Sequence, residues 1–281
     1  MNKKILIDEF WIWHKQRTKI KNWLFCWLVS SIAIRFAYKI KHKDLFKNYN
    51  FIVKFKNRMK LVVSTDMWIN LVAIINIFDN YMEGINIKLN KNDVVVDIGA
   101  HIGSFALPAF FNGAIVYAFE PDPKNYGILN LSIQANSIKT QQGFFLENVA
   151  VSKSSGFADF SIGATSTTGS LSRAGFYKAV ACAPRIMCKT ISLSEMFEKY
   201  NIKNCRLLKI DCEGSEYDIF YSTSPDVFRK IQNIVMDAHK VKNNNPKELE
   251  DYLKAQGFKL IGSRQYDNEC RDLFFCNTLH C

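Results

Sequence analysis

Five side chains that can hold or transfer a proton follow two apolar stretches in the second half of the chain. Residues 206–211 and 231–236 are apolar at half or more of their positions, which predicts two buried strands. Because the carboxyl ends of neighbouring parallel strands meet at one edge of a sheet, the polar residues at these ends should lie together. These residues are Asp211, Glu213, Glu216, Asp237 and His239.

Within this cluster, His239 is the first candidate for a general base, because the unperturbed pKa of histidine, about 6.5, suits proton transfer near neutral pH. Asp211 and Glu213 are the second candidates, and Glu216 and Asp237 are expected on the substrate side. Two alternatives stay open. Glu216 can stabilise a helix N-terminus and Asp211 can cap a turn. Alternatively, Asp211, Asp237 and His239 can hold a divalent ion; our prediction assigns no metal.

A glycine-containing loop follows a third buried strand, predicted over 93–98. Asp97 ends this strand and is followed by Gly99, Ala100 and Gly103. Glycines let a backbone turn sharply and approach a ligand, and the helix that begins near residue 104 would direct its amides there. The spacing is Asp-x-Gly-x-x-x-Gly, similar to the loop of S-adenosylmethionine (SAM) methyltransferases, and not the Gly-x-Gly-x-x-Gly of dinucleotide-binding proteins. We therefore predict that these four residues hold the methionine part of SAM.

Two further strand ends fit the same ligand. The strand predicted over 114–120 ends in Glu120, 17 residues after Gly103. In a βαβ unit such an acid lies beside the first loop and can accept hydrogen bonds from ribose hydroxyls. A third strand, over 144–151, contains Glu147 and Asn148, one of which we expect near the adenine. Three adjacent strand ends predict a nucleoside pocket, in preference to an ordinary strand–turn–helix.

The sequence of 208–216, Leu-Lys-Ile-Asp-Cys-Glu-Gly-Ser-Glu, resembles the Lys-Ile-Asp-x-Glu-Gly-x-Glu hallmark of the FkbM family of SAM-dependent methyltransferases. The segments 96–103, 119–123 and 148–152 resemble the other motifs of that family in order, and the resemblance covers about residues 51–278. There are two departures: His101 stands where the family usually has Asn, and Asp237-x-His239 stands where Glu-x-His is usual.

The resemblance implies a class I (Rossmann-like) α/β fold, with a doubly wound seven-stranded sheet whose last strand is antiparallel. It also implies SAM as cofactor and O-methylation of a hydroxyl on a sugar, glycan, glycolipid or other small molecule. Two rival functions remain: an RNA methyltransferase, and an inactive membrane-tethered module with a SAM fold. An intact set of Asp97, Glu120, Asp211 and His239 argues against the inactive module.

The positioning elements are predicted from the hydrophobic pattern. A β-hairpin is expected over 51–63, and a helix over 67–80 as a cap on the pocket. The core, 92–278, alternates strands with helices, which predicts a doubly wound sheet. An inserted hairpin, 157–162 with 185–190, encloses a loop at 163–183 that would act as a substrate lid or a surface loop. The predicted helices span 103–112, 123–136, 192–200, 215–221, 225–230 and 246–256, and the last strands span 258–263 and 273–276.

Charge divides the chain into a basic extension, residues 1–50, and a methyltransferase domain, residues 51–281. The formal net charge is +11; residues 1–60 hold 15 Lys/Arg and 3 Asp/Glu, whereas residues 61–281 hold 22 and 23. A nearly neutral catalytic region argues against a nucleic-acid partner. The apolar stretch 23–40 predicts a helix that packs on the protein, contacts a membrane surface or spans it. We expect a cytoplasmic protein, with contact to the inner face of the membrane as an alternative; the oligomeric state is open.

The eight cysteines contain no Cys-x-x-Cys pair, so their spacing does not predict a zinc site. We expect free, mostly buried thiols in a reducing compartment, and a secreted disulfide protein as the less favoured alternative.

Overall fold

A computed structural model describes residues 9–11 (backbone only), 50–64, 67, 71–163, 170–171, 184–241, 244–265 and 270–281. The stretch 23–40 and most of the predicted loop 163–183 lie outside these residues. Among the helices that are described, none is long and apolar enough to cross a membrane.

The described residues form thirteen strands and seven helices. The strands are β1 Glu9–Trp11, β2 Asn50–Lys54, β3 Lys60–Ser64, β4 Val94–Ile98, β5 Ile115–Phe119, β6 Phe144–Glu147, β7 Ala150–Ser152, β8 Gly156–Ser161, β9 Arg185–Ser192, β10 Leu207–Ile210, β11 Asn233–His239, β12 Phe258–Gln265 and β13 Cys270–Asn277. The helices are α1 Leu71–Ile85, α2 Ala106–Phe111, α3 Pro123–Ala135, α4 Leu193–Lys199, α5 Glu216–Tyr221, α6 Pro225–Lys230 and α7 Pro246–Ala255.

Seven strands form the central sheet in the order β12-β13-β11-β10-β4-β5-β6. β4 pairs in parallel with β5 and β10, and β10 pairs in parallel with β11. β13 runs antiparallel to both β11 and β12. This order confirms the predicted seven-stranded sheet with an antiparallel last strand. It also brings the carboxyl ends of β4, β5, β10 and β11 to one edge, where ligands of doubly wound sheets bind.

The apolar strands are explained by burial on both faces. Along β4, Val95 belongs to a core cluster shared with α1, α2 and α3, and Val96 belongs to the opposite cluster, shared with α4 to α7. The helix starts are specified locally. Asp122 caps α3 by accepting from the Lys124 backbone N–H at 2.7 Å, and Pro123 occupies the first turn.

Two small sheets flank the central one. The predicted hairpin is β2–β3, and β1 adds to it in parallel, a pairing that the polar sequence of residues 1–22 did not predict. The strand predicted over 144–151 is interrupted, because Asn148 turns its side chain to donate to the carbonyl oxygens of Glu120 and Pro121. Its second half, β7, pairs instead with β9 of the inserted hairpin β8–β9, which is present as predicted.

The expectation of free thiols is wrong for one pair of cysteines. Cys276 and Cys281 form a disulfide, because the turn after β13 brings their Cα atoms to 6.0 Å. Among the described residues, Cys188, Cys205, Cys212 and Cys270 are thiols that take no part in a disulfide.

Candidate active site

A cavity of about 440 Å³ opens at the carboxyl ends of β4, β5, β10 and β11. Its floor is the glycine loop after β4, and its far side is the loop after β10 together with Asp237 of β11. Tyr81 of α1 and Phe160 of β8 also line it, so the helix predicted as a cap does reach the pocket. The cavity therefore lies where the strand ends predicted a site.

The glycine loop is specified by the space around Gly99. The backbone amides of Gly99 and Ala100 both donate to the Phe119 carbonyl at 3.0 Å, which binds the loop to the end of β5. Gly99 has a φ of +74°, and a Cβ built there would lie 1.9 Å from the Asp211 backbone oxygen. Only glycine fits this position, so two neighbouring strand ends can approach closely. Gly103 (φ +92°) does not line the cavity and packs against Leu129.

Glu120 is hydrogen-bonded to this loop. Its side chain accepts hydrogen bonds from the backbone N–H groups of His101 (2.7 Å) and Asp122 (2.9 Å), and it lines the cavity. Burial raises the pKa of Glu120 to about 7, although the two amides oppose the rise. A carboxylate has about four lone-pair positions, so this geometry leaves capacity to accept from ribose hydroxyls.

Asp97 and Lys209 form a buried ion pair beneath the glycine loop. Lys209 Nζ lies 3.1 Å from Asp97 Oδ1 and 3.8 Å from Asp211 Oδ2, and it donates to the Gly99 carbonyl at 2.7 Å. Burial raises the pKa of Asp97 against the opposing effect of Lys209. The pKa of Lys209 is raised because its acidic neighbours outweigh its burial. Lys209 lines the cavity and Asp97 does not. Asp97, which was predicted to hold the methionine part of SAM together with the glycine loop, therefore lies behind that loop.

Ser104 was not singled out from the sequence. It lines the cavity, is 5% exposed, and its hydroxyl has no hydrogen-bond partner among the described residues. A buried hydroxyl of this kind is a donor available to a bound anionic group.

Asp211, Glu213 and Asp237 form what we call the acidic wall of the cavity, as predicted from the strand ends. Burial is the main cause that raises the pKa of Glu213 to about 8 and that of Asp237 to about 7, and His239 partly offsets both rises. Asp272, which the sequence analysis overlooked, pairs with Asp237 across β11 and β13 and also lines the cavity. The wall thus holds carboxyl groups that titrate near neutral pH.

His239 and Glu216 lie behind this wall and do not line the cavity. His239 Nδ1 is 3.1 Å from Glu216 Oε1, and His239 Nε2 is 3.5 Å from Glu213 Oε2 and 3.7 Å from Asp237 Oδ2. Burial opposes the charged form of His239, but Glu216, Cys270 and Asp237 together raise its pKa well above the usual value. Both nitrogens of the imidazole predicted as the general base therefore face carboxylates and not the cavity.

Glu147 and Asn148 also lie outside the cavity lining. The Glu147 carboxylate accepts from Lys199 and from the Tyr200 hydroxyl, whereas Asn148 braces the loop after β5. Their predicted proximity to the adenine stays a prediction.

Two groups of side chains have donor atoms close enough to hold one metal ion. They are Asp211, Glu213 and His239, and Asp237, His239 and Cys270; within each group the atoms lie within 4.8 Å of one another.

The doubly wound sheet, the glycine loop after β4 and the acid that follows β5 define a class I SAM-dependent methyltransferase. More narrowly, residues 97–260 match the family model of the methyltransferase FkbM domain, and the chain belongs to that family, as its motifs predicted.

A curated relative, the 31-O-demethyl-FK506 methyltransferase FkbM of Streptomyces tacrolimicus, is 27% identical over 205 residues, which are 63% of this chain and 77% of that protein. Two solved structures are distantly similar. A SAM-dependent methyltransferase from Agrobacterium tumefaciens has a TM-score of 0.43 and 7% identity, over 82% of this chain and 70% of its own. A precorrin-6y C5,15-methyltransferase from Geobacter metallireducens has a TM-score of 0.41 and 12% identity, over 71% of this chain and 87% of its own.

The residues present fit SAM. The unpartnered Ser104 hydroxyl suits the methionine carboxylate, and Glu120 suits the ribose. The acidic surroundings suit a cofactor whose sulfur is positive, and SAM supplies an electrophilic methyl group on that sulfur. The chain's own residues would hold and orient the cofactor.

Replacement of Glu120 with glutamine is expected to weaken SAM binding about 10- to 100-fold at pH 8, because the free energy of charge-assisted hydrogen bonds corresponds to a loss of about that size. Because the pKa of Glu120 is about 7, its carboxylate is present above that pH and lost below it. Wild-type affinity should therefore rise from pH 6 to pH 8, and the affinity of the variant should not. Calorimetric titration with SAM measures both. Asp226→Asn, on the exposed face of α6, is the control, and equal pH dependence in wild type and Glu120→Gln would contradict the assignment.

Proposed function

We propose that this chain transfers the methyl group of SAM to a hydroxyl oxygen of a sugar, a glycan or another small molecule. The observation that carries this proposal is the acidic wall, which lies on the opposite side of the cavity from Glu120 and contains carboxyl groups whose pKa values are near neutral. A hydroxyl is a weak nucleophile unless a base takes its proton during the attack. The curated relative is named a 31-O-demethyl-FK506 methyltransferase, and this name also supports an oxygen atom as the methyl acceptor.

In the proposed reaction, Glu213 is the general base, a role for which His239 was the first candidate and Glu213 a second. Glu213 lines the cavity, whereas His239 lies behind it. The wall orients the acceptor oxygen, and Glu213 accepts the proton of that oxygen as the sulfur–methyl bond is replaced by an oxygen–methyl bond. The buried Lys209 lies 3.8 Å from Asp211 beside them. The rate should rise with pH through about 8, as Glu213 loses its proton.

Glu213→Gln is expected to lower methyl transfer about 10²- to 10⁴-fold, the usual contribution of a general base, and to leave SAM affinity within about twofold. The measurement is S-adenosylhomocysteine formed with a panel of neutral sugars, glycans and an RNA oligonucleotide. Glu198→Gln, on the exposed side of α4, is the control. Full activity of Glu213→Gln would exclude this base, and transfer to the RNA alone would favour the rival function.

We also propose that the stretch 23–40 and its basic surroundings contact an anionic membrane surface, which would present a membrane-bound glycan or lipid carrier to the site. The support is the excess of 12 positive charges in residues 1–60, with 15 Lys/Arg against 3 Asp/Glu. Deletion of residues 1–45 should release the protein from liposomes that contain anionic lipid, as measured by sedimentation. Unchanged sedimentation would contradict this contact.

A further inference from the structure

We propose that Glu216 is a positioning residue: its buried carboxylate holds one ring nitrogen of His239, so that the other ring nitrogen faces Glu213 and Asp237 of the acidic wall. The inference rests on the proposed function, and it gives Glu216 a different role from the substrate-side position expected from the sequence.

Glu216 connects three parts of the site through one oxygen. Its side chain is fully buried at the start of α5, and Oε1 accepts from the Cys212 backbone N–H at 3.2 Å and lies 3.1 Å from His239 Nδ1. Cys212 belongs to the loop that carries Asp211 and Glu213. With Nδ1 held by Glu216, Nε2 of the same ring is directed to Glu213 and Asp237 at 3.5 and 3.7 Å.

Four carboxyl groups and one cysteine surround His239 behind the acidic wall. Glu216 faces it from α5, Glu213 and Asp211 from the loop after β10, Asp237 from its own strand, and Cys270 from β13. The Tyr217 hydroxyl fixes the backbone by donating to the His239 carbonyl at 2.8 Å. Lys209 pairs with Asp97 and lies 3.8 Å from Asp211. Both ring nitrogens of His239 face carboxylates, an arrangement that favours the doubly protonated ring, and such a ring opposes the protonation of the two wall carboxyls that it faces.

A role for Glu216 in helix stability alone does not explain this arrangement. An acid that only favours a helix N-terminus can remain in water, where the interaction is worth little but costs no desolvation. Glu216 is instead fully buried, and a buried carboxylate is tolerated when it is paired and hydrogen-bonded. Its charged partner is His239, so the pair is the unit that must be tested.

The first test measures the charge of His239 directly. Long-range ¹H–¹⁵N NMR spectra of the five histidines are recorded from pH 6 to pH 9 for wild type and Glu216→Gln, with His239→Gln to assign the signal. We expect both ring nitrogens of His239 to stay protonated at pH 8 in wild type and one to be deprotonated in Glu216→Gln. Glu250→Gln replaces another buried carboxylate, which pairs with Lys247, Lys254 and Arg271 away from the cavity, and should leave the His239 signal unchanged.

The second test separates positioning from structure by kinetics. Glu216→Gln should lower methyl transfer at least tenfold at pH 7.5, shift the rising limb of the pH–rate profile to higher pH by about one unit, and leave SAM affinity within twofold. Glu216→Asp, which keeps the charge, should recover part of the rate. A loss of rate with an unshifted profile would assign Glu216 a purely structural role and overturn the proposal.

The NMR outcome decides the inference even if no acceptor is found. A neutral His239 in wild type, or a His239 that stays cationic in Glu216→Gln, would overturn it. Mn²⁺ that broadens the His239 signal at micromolar concentration would also overturn it, because His239 would then be a metal ligand and not a cation. Failure of wild type to methylate any acceptor, with the expected NMR result, would contradict the proposed function alone.

Discussion

Replacing Gly99 with alanine is expected to reduce SAM affinity by at least about 100-fold, or about 2.7 kcal/mol. A Cβ at this position would lie 1.9 Å from the Asp211 backbone oxygen, and that oxygen cannot rotate away as a flexible side chain could. The positive φ of +74° adds about 1–2 kcal/mol of strain for any other residue. The end of β4 and the loop after β10 must therefore separate, which displaces both the amides of the glycine loop and the acidic wall. Calorimetric titration of the folded variant with SAM measures the loss.

Gly127 provides a matched glycine-to-alanine control. It lies inside α3, and a Cβ built there would have nothing within 4 Å. Gly127→Ala should stabilise the protein by about 0.5–1 kcal/mol, as alanine does in a helix interior, and leave SAM affinity unchanged. Equal SAM affinity in Gly99→Ala and Gly127→Ala would show that the close approach at Gly99 does not govern cofactor binding.

The sheet could be predicted because the apolar composition of each strand reflects its burial. The run at 94–98 is apolar at every position but Asp97, and burial on both faces requires that composition. The β1 strand was not predicted, since three residues are too few to show a strand pattern and their pairing with β2 depends on tertiary contact. The disulfide between Cys276 and Cys281 was missed for a similar reason: it depends on the turn after β13, which the spacing of cysteines does not reveal.

The sequence predicted which strand ends form the site, but it did not predict which of their side chains point into the cavity. Asp237 and His239 are two residues apart on β11, yet only Asp237 lines the cavity, and His239 Nε2 instead lies 3.5 Å from Glu213 Oε2. Glu147 turns instead to α4 and Tyr200. Lys209 could have indicated the buried ion pair, because it is a charged residue inside a strand whose four residues are all buried, and such a residue needs a buried acid as its partner.

Lys209→Met is expected to destabilise the protein by about 3–5 kcal/mol at pH 8, because it leaves Asp97 buried without its cation. The cost should be smaller at pH 5.5. Without Lys209 the pKa of folded Asp97 rises further, so the folded state binds a proton that the unfolded state has lost, and stability increases as the pH falls. Unfolding in urea at both pH values measures the difference.

Asp97→Asn in the Lys209→Met background should recover most of the loss, and Lys259→Met, on an exposed position of β12, should cost less than about 0.5 kcal/mol. A loss in Lys209→Met that is the same at both pH values and is not recovered by Asp97→Asn would mean that Lys209 acts through packing, and that the ion pair beneath the glycine loop does not determine its stability.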